Sequence, residues 1–557
     1  MKPQALALGA ALAAATNLTA PVALGATLPP AVGSGNVANI QPPVWHPAET
    51  PCVVKLYRGA QFGANNVDFN YTPPASCPGP WAAVVLSVNV SLDAGIQYDR
   101  TGTIWLAGVP LWFGTTAEPD PKLGPSWNFQ RDVTDYSALL AQPQTGFVLI
   151  ANYTNSTDTS IITSTGELLF YPATAQYPAP TVPDMVIPLA APGGGTVALN
   201  TGTDIVAINQ TLPTNIKGAA LDLYLQGQSN DEFWYTCVPT SLSSELQSCP
   251  GGSFREGEIS IDGTPAGVAP VYPWIFTGGI DPYLWAPIPG VQTLNFDPFR
   301  VPLSPFAGVL SNGATHQIAL SLYGADSYFS VAGALMLYLD SGTTQVTGSV
   351  TTNTLAAAPT PTVTNTIQSN SGNISGGVDT TSTRNFTIVG TAVTSAGTVQ
   401  NSVNQTGSFS NLQQFKITSA KYLQLIKQTT LTNVQTTATT SSGSTGTLDT
   451  FTYPLSVDIK LLFDANGNVQ QLANIGQDLQ VNRLQFVGGN ESATSSSNNS
   501  IDVADTLLLN SSFNLLGHKN QASSAELSFY NAHVPCFQRY LAAANNILTV
   551  DKTGCAK

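Results

Sequence analysis

The sequence predicts an all-β protein: two consecutive jelly-roll or β-sandwich domains followed by a third, β-rich C-terminal domain. Three observations carry that expectation. Apolar and polar residues alternate with period two in the most regular stretches, and convincing amphipathic helical patterns are nearly absent. Of the 557 residues, 43% are hydrophobic and only 9% charged, whereas about a quarter of an average globular protein is charged. Thr, Ser, Asn and Gly take the surface positions that Lys and Glu usually fill, which is the neutral polar coat of an exported β protein.

Residues 1–26 read as a secretory signal. Lys2 supplies the positive start, Ala5 to Ala15 a short apolar run, and Ala23-Leu24-Gly25-Ala26 small residues for cleavage. The run is too short to span a bilayer and no other apolar stretch is long enough. The expected location is therefore outside the cytoplasm, extracellular or periplasmic.

The first domain is placed at 44–179. Its clearest strand has Leu86, Val88, Val90 and Leu92 apolar around polar Ser87, Asn89 and Ser91. The second is placed at 182–344, where Ile318, Leu320 and Leu322 repeat the alternation and the apolar strand Phe329 to Asp340 closes the unit. Ala358-Pro359-Thr360-Pro361-Thr362 reads as a linker. The third domain, 363–557, is dense in Thr, Ser, Asn and Gln. Asp464-Ala465-Asn466-Gly467 between two apolar runs predicts a hairpin there. Ser441–Gly446 and Ser492–Ser500 are low in complexity and read as loops. No fixed-period repeat points to a propeller or solenoid.

Nineteen basic residues against 33 acidic ones give a net charge of -14. That balance argues against nucleic acid, whose binding needs a basic footprint. Low charge density also predicts tolerance of mild acid. The six cysteines fall into three local pairs, Cys52 with Cys77, Cys237 with Cys249 and Cys536 with Cys555, each closing a short loop. An even count in an exported chain reads as disulfides. No Cys or His spacing suits a metal site, and no cofactor motif is present.

Few ionisable groups are left to do chemistry. His46, His316, His518 and His533 are isolated from any Ser, Cys or acidic motif, and no nucleophile elbow occurs; His316, ahead of an alternating strand, reads as structural. Gln97-Tyr98-Asp99-Arg100 is the conspicuous exception, a charged pair beside aromatics at a strand end. Such groups are costly to desolvate and persist as paired or functional groups. Asp99, Arg100 and Glu118 lie near Trp105, Trp112 and Trp127 in sequence. Asp231-Glu232-Phe233-Trp234-Tyr235, Phe254-Arg255-Glu256, Trp274 and Trp285 form a second group. Carboxylates beside Trp and Tyr suit a carbohydrate-handling cleft, where rings stack on sugar faces and carboxyls move protons. Core tryptophans and turn-capping carboxylates are the structural alternative for any one of these residues.

Several of these stretches occur in order with Arg100-Thr101-Gly102, Gly114-Thr115-Thr116-Ala117-Glu118-Pro119, Arg131-Asp132-Val133-Thr134-Asp135-Tyr136-Ser137, Ile261-Asp262-Gly263 and Tyr272-Pro273-Trp274-Ile275-Phe276-Thr277-Gly278-Gly279-Ile280. Together they resemble the peptide-N-glycosidase A family, acid-active amidases that cut N-glycans from asparagine. The resemblance is dense over about residues 44 to 345 and loose beyond. A fainter likeness reaches peptide-N-glycosidase F, built of two jelly rolls, through Tyr98-Asp99-Arg100 and Asp132-Val133-Thr134-Asp135-Tyr136. That likeness places the key Asp on Asp99. The assisting Glu of the next strand falls near Asn152, a departure from the pattern. A second-domain Glu falls on Glu232 or Glu256, with Glu232 preferred.

The resemblance implies Asp99, Glu232 and Arg100 as catalytic residues. It implies Glu118, Trp234, Arg255, Glu256, Trp105 and Trp285 as substrate-binding residues, and N-glycosylated peptides and glycoproteins as substrates. Asp99 would deprotonate water or attack directly, and the sequence leaves both open. Arg100 would stabilise developing negative charge, and the Trp residues would form a sugar platform. A carboxylate-only site suits acid, where a histidine base would be protonated. The rival readings are a non-catalytic glycan-binding or adhesin-like protein and an endoglycosidase.

Overall fold

The alternating run around Leu86 becomes the strand Trp81–Leu92 in the computed structural model, which describes residues 30–63, 65–118 and 121–555. The expected signal segment, 1–26, lies outside the described residues. Both faces of this strand are covered. Val84, Leu86, Val88 and Val90 enter a core shared with Ile104, Leu106 and Val148 of the facing sheet. Ala83 and Val85 on the opposite face pack with Tyr171 under Val44 and Trp45.

The first unit is a pair of four-stranded antiparallel sheets. One runs Cys52–Gln61, Ile162–Pro172, Trp81–Leu92, Ser126–Asp132, and the other Val67–Tyr71, Gln144–Ile150, Thr101–Leu106, Val109–Thr115. Sequence neighbours are rarely sheet neighbours, so both sheets close through long-range pairs such as Cys52 with Phe170. The second unit repeats the plan. A five-stranded sheet carries Ile216–Gly227 and Phe329–Leu339 at its centre, and a four-stranded sheet carries Thr315–Tyr323 and Glu256–Ile261.

The third part is one twelve-stranded antiparallel sheet, mostly a meander in which each strand pairs with the next. Asn373–Thr394 and Gly397–Thr418 are 22 residues long, about 70 Å at the usual rise of about 3.3 Å per residue. The sheet begins at Val350–Asn353, which pairs with Asn373–Thr394, so Ala358–Thr362 connects two strands of one sheet. The predicted turn joins Phe463 to Val469, with the Asp464 carboxylate accepting from the Asn466 and Asn468 amides at 2.8 Å. The low-complexity segments correct the loop expectation. Ser492–Ser500 lies inside the strand Asn490–Leu509, and Gly443 already opens the strand Gly443–Phe463. Apart from buried Asn499, these stretches are exposed or half-exposed on both faces, so no alternation marks them in the sequence.

The longest α-helix among the described residues is Thr240–Leu246, seven residues, and no helix there is long and apolar enough to cross a membrane. The three local cysteine pairs are disulfides. One apolar cluster runs from the second unit into the twelve-stranded sheet, where Trp234 and Phe254 pack on Phe409. Glu256 meets Arg384 of that sheet at 2.9 Å across the same seam. Residues 33–40 are held along the far end of the sheet. The Gly33 amide donates to the Leu548 carbonyl at 2.7 Å and the Leu548 amide to the Ser34 carbonyl at 2.9 Å, while Asn499 donates to the Ile40 carbonyl and Arg539 to that of Asn39.

Candidate active site

Asp99 stands just before the strand Thr101–Leu106, where the first unit meets the second. Its position is set by a ladder that crosses the junction. The Arg100 amide donates to Thr116 Oγ1 at 2.9 Å and the Thr116 amide to the Arg100 carbonyl at 2.9 Å. Thr277 Oγ1, from the second unit, donates to the Thr116 carbonyl at 2.9 Å and accepts from the Glu118 amide at 2.8 Å. The Gly278 amide then donates to Asp99 Oδ2 at 2.9 Å. Gln97 and Asn152 bond each other beneath this segment, both also reaching the Ser160 carbonyl. Asn152 thus holds the base of the site and is itself buried.

Gly278 is glycine for a local reason. A Cβ there would collide with Glu118 Oε2 and lie 3.2 Å from Asp99 Oδ1. Two carboxyls therefore converge on one backbone amide. Ile280, two residues on, has φ of +66°, a left-handed conformation that costs a β-branched residue strain and needs support from its surroundings.

Glu232 approaches from the second unit. The 3-10 turn Ser229–Asp231 precedes it, and buried Asp231 fixes that turn. Arg255 donates to Asp231 Oδ1 from Nη2 at 2.7 Å and from Nε at 3.0 Å, and the Asp326 and Ser327 amides donate to Oδ2. The disulfide Cys237–Cys249 closes the segment immediately afterwards.

The three carboxyls are half-buried and their proton affinities differ. Burial pushes Glu118 up to about 8, and the Asp99 charge adds to it. Burial followed by Asp99 pushes Glu232 up to about 7. Burial also raises Asp99, but the Gly278 N–H and the Arg100 charge pull it back. Arg100 is oriented by Asp158 at 3.6 Å. Burial raises all three, and in mild acid Glu118 and Glu232 keep their protons, the kind of perturbation that marks acid–base sites.

The remaining expected residues lie elsewhere. Trp105, Trp234 and Trp285 are 1%, 2% and 2% exposed. Trp234 packs on Tyr235 and Phe409, and Trp285 Nε1 donates to the Gly279 carbonyl; they are core and leave no face for a sugar. Arg255 is committed to Asp231, and Glu256 to Arg384 on the far seam. The aromatic rings beside the carboxyls are instead half-buried Tyr98, whose hydroxyl feels Glu118, and Tyr328, which feels Glu232. Tyr98 was marked in the sequence only as part of the Gln97–Arg100 run, and neither Tyr328 nor Asp158 stood out. The Thr277-Gly278-Gly279 run did carry a signal, since paired glycines mark close backbone approach. The histidines stay apart from this cluster, and His316 is buried against Asp262 at 2.7 Å. No group of three metal-ligating side chains occurs among the described residues.

A family model described as peptide N-acetyl-beta-D-glucosaminyl asparaginase amidase A matches residues 39–356. A Prunus dulcis protein named peptide-N4-(N-acetyl-beta-glucosaminyl)asparagine amidase A is 25% identical over 543 residues, covering 93% of this chain and 92% of its own length. Among solved structures, PNGase F, a glycosylasparaginase from Flavobacterium meningosepticum, aligns over 52% of this chain and 96% of its own, with 13% identity and a TM-score of 0.35. PNGF-II aligns over 52% and 66%, with 12% identity and a TM-score of 0.37.

Proposed function

Because the chain belongs to the peptide N-acetyl-beta-D-glucosaminyl asparaginase amidase A family, we propose that the carboxyls at its domain junction perform that family's hydrolysis. The protein is an amidase that cleaves the β-amide between N-acetylglucosamine and asparagine in N-glycopeptides, releasing the glycan and leaving Asp. The observation that carries the residue assignment is the convergence of Asp99, Glu118 and Glu232 from two units, all three with proton affinities raised by burial and Glu118 and Glu232 further by the Asp99 charge.

In this reading Asp99 is the base. It takes a proton from water attacking the side-chain carbonyl carbon, or its own oxygen attacks and water then opens the mixed anhydride. Arg100 faces the negative charge that develops on the carbonyl oxygen. The C–N bond breaks as the glycosylamine nitrogen accepts a proton from Glu232, with Glu118 as the second proton-bearing wall. Tyr98 and Tyr328 offer the rings for the sugar, the role first expected of the tryptophans. Activity in acid follows, because the two glutamates hold their protons below about 7. Three disulfides support work in an oxidising compartment, extracellular or periplasmic.

The test is mass spectrometry of an N-glycopeptide incubated at about pH 5, near the carboxylate range, in ¹⁸O-water. The expected product is free glycan with Asn converted to labelled Asp, and Asp99→Asn should abolish it while the fold persists. Label appearing on Asp99 itself in a single turnover would select direct attack over water. A peptide retaining one N-acetylglucosamine would replace the reading with an endoglycosidase, and an intact, bound glycopeptide with a lectin.

A further inference from the structure

The turn that caps Asp99 is gripped by the twelve-stranded sheet. Gln471 donates to the Ile280 carbonyl at 3.0 Å, Asn546 to the carbonyls of Tyr283 and Ala286 at 2.7 and 2.8 Å, and Gln477 to that of Pro273 at 2.8 Å. The Tyr283 ring stacks on His518 of the sheet, centroids 3.7 Å apart. In the middle of this contact two carboxyls meet. Asp281, fully buried, accepts from the Tyr283 amide at 2.9 Å through Oδ1. Asp505, on the strand Asn490–Leu509, faces His518 Nδ1 at 3.1 Å through its own Oδ1. The second oxygen of each is buried with no N–H or O–H of the protein to accept from, and the two carboxyls lie close enough to act on each other. Two carboxylate oxygens bond only if a proton lies between them.

We infer that Asp505 is a positioning residue for the amidase: its carboxyl and that of Asp281 share one proton, and this bond ties the C-terminal sheet to the turn whose Gly278 amide caps Asp99. The inference rests on the amidase reading and gives the third domain a part in it. The strained backbone at Ile280 needs such support. Burial first, then Asp505, raises Asp281 to about 8, so the bond persists through mild acid. The groups facing the pair are His518 on Asp505, the ring of Tyr283 between the two elements, and Glu118, which feels Asp281 across the turn. Loss of the shared proton would set two like charges against each other, loosen the turn and place a further charge near Glu118.

Asparagine at 505 tests this without disturbing shape. Its Nδ2 can donate to Asp281 permanently and its Oδ1 can still accept from His518. Asp505→Asn should keep kcat at pH 5 within about twofold and extend activity toward alkaline pH. Asp505→Ala should lose about tenfold or more in kcat with KM little changed, as a misaligned catalytic group does. The inference is overturned if Asp505→Ala turns over like the parent at pH 5, or if the pH profiles of Asp505→Asn and the parent superimpose. Should the alanine variant fail to fold, the asparagine comparison stands alone. A readout that needs no turnover separates this inference from the functional reading. Hydrogen exchange across 277–285 should quicken above pH 8 in the parent and stay slow in Asp505→Asn; equal exchange in both would overturn it whatever the activity.

Discussion

Alanine at position 278 would place a methyl group where two carboxyls already meet. Gly278 is not in the left-handed region, so its backbone accepts alanine and the amide keeps its 2.9 Å bond to Asp99. The methyl carbon needs about 3.3 Å from an oxygen, a separation that Asp99 Oδ1, at 3.2 Å, nearly provides. Glu118 Oε2 sits far inside that limit and must retreat by about an ångström, taking its proton from the place where it faces Asp99 and substrate. A displacement of about 1 Å at a reacting centre costs roughly a hundredfold, or about 2.7 kcal/mol in the barrier. The half-buried Glu118 has room to move, so the fold should lose little. The assay is kcat/KM for glycopeptide deglycosylation at pH 5, with a melting curve in parallel. Gly278→Ala should fall about a hundredfold while its midpoint stays within a few degrees. Activity within roughly threefold of the parent in a folded variant would refute the argument that this contact sets the site.

Three further outcomes follow from the same geometry. Glu232→Gln should lower kcat by about a hundredfold to ten-thousandfold, the range for a lost proton donor, whereas Glu256→Gln should leave kcat/KM near the parent, because Glu256 faces Arg384; equal losses would reverse that assignment. Stability should rise as pH falls from about 8.5 to 5. Glu118, Glu232 and Glu256 hold protons up to about 8, 7 and 7, so their contribution is complete below the ordinary glutamate range and is lost as pH climbs through these values, at up to about 1.4 kcal/mol per unit each. A midpoint that falls steadily between pH 7 and 5 would contradict this. Replacing Cys237 and Cys249 with serine opens a loop of separation 12, costing about 3 kcal/mol on the chain-entropy model. It should also reduce kcat, since the bridge braces the segment after Glu232; unchanged turnover would show that brace unnecessary.

The alternating strands, the hairpin at Asp464 and the three disulfides were legible because each is local: period, turn chemistry and short spacing lie within a few residues of one another. Asp99 was legible because an ionised pair in a charge-poor chain stands out. The tryptophans misled, since a large apolar ring is needed equally by a core and by a sugar platform, and sequence does not tell which way Trp105 or Trp285 faces. Glu256 misled for a related reason. Its neighbour in sequence, Arg255, serves the Glu232 turn, but alternation along Glu256–Ile261 turns Glu256 to the opposite face, toward Arg384. The Ser- and Asn-rich ends of two strands, 443–446 and 492–498, were invisible because they are exposed or half-exposed on both faces, so no pattern was required of them. The Asp281–Asp505 pair joins residues 224 positions apart, and nothing local marks either member.

The clasp on residues 33–40 has a consequence for how the molecule is made. Those residues leave the ribosome long before their partners Leu548 and Arg539. The contact between Asn39 and Arg539 spans 500 positions, so this segment is made well before its partner strand exists. The meander of adjacent hairpins can assemble as it emerges, but the contact with residues 33–40 cannot close until Ile547–Gly554 arrives. A chain cut short before Ile547–Gly554 would lose that strand and also release residues 33–40. Closure at this seam thus reports that the strand carrying Leu548 has been made.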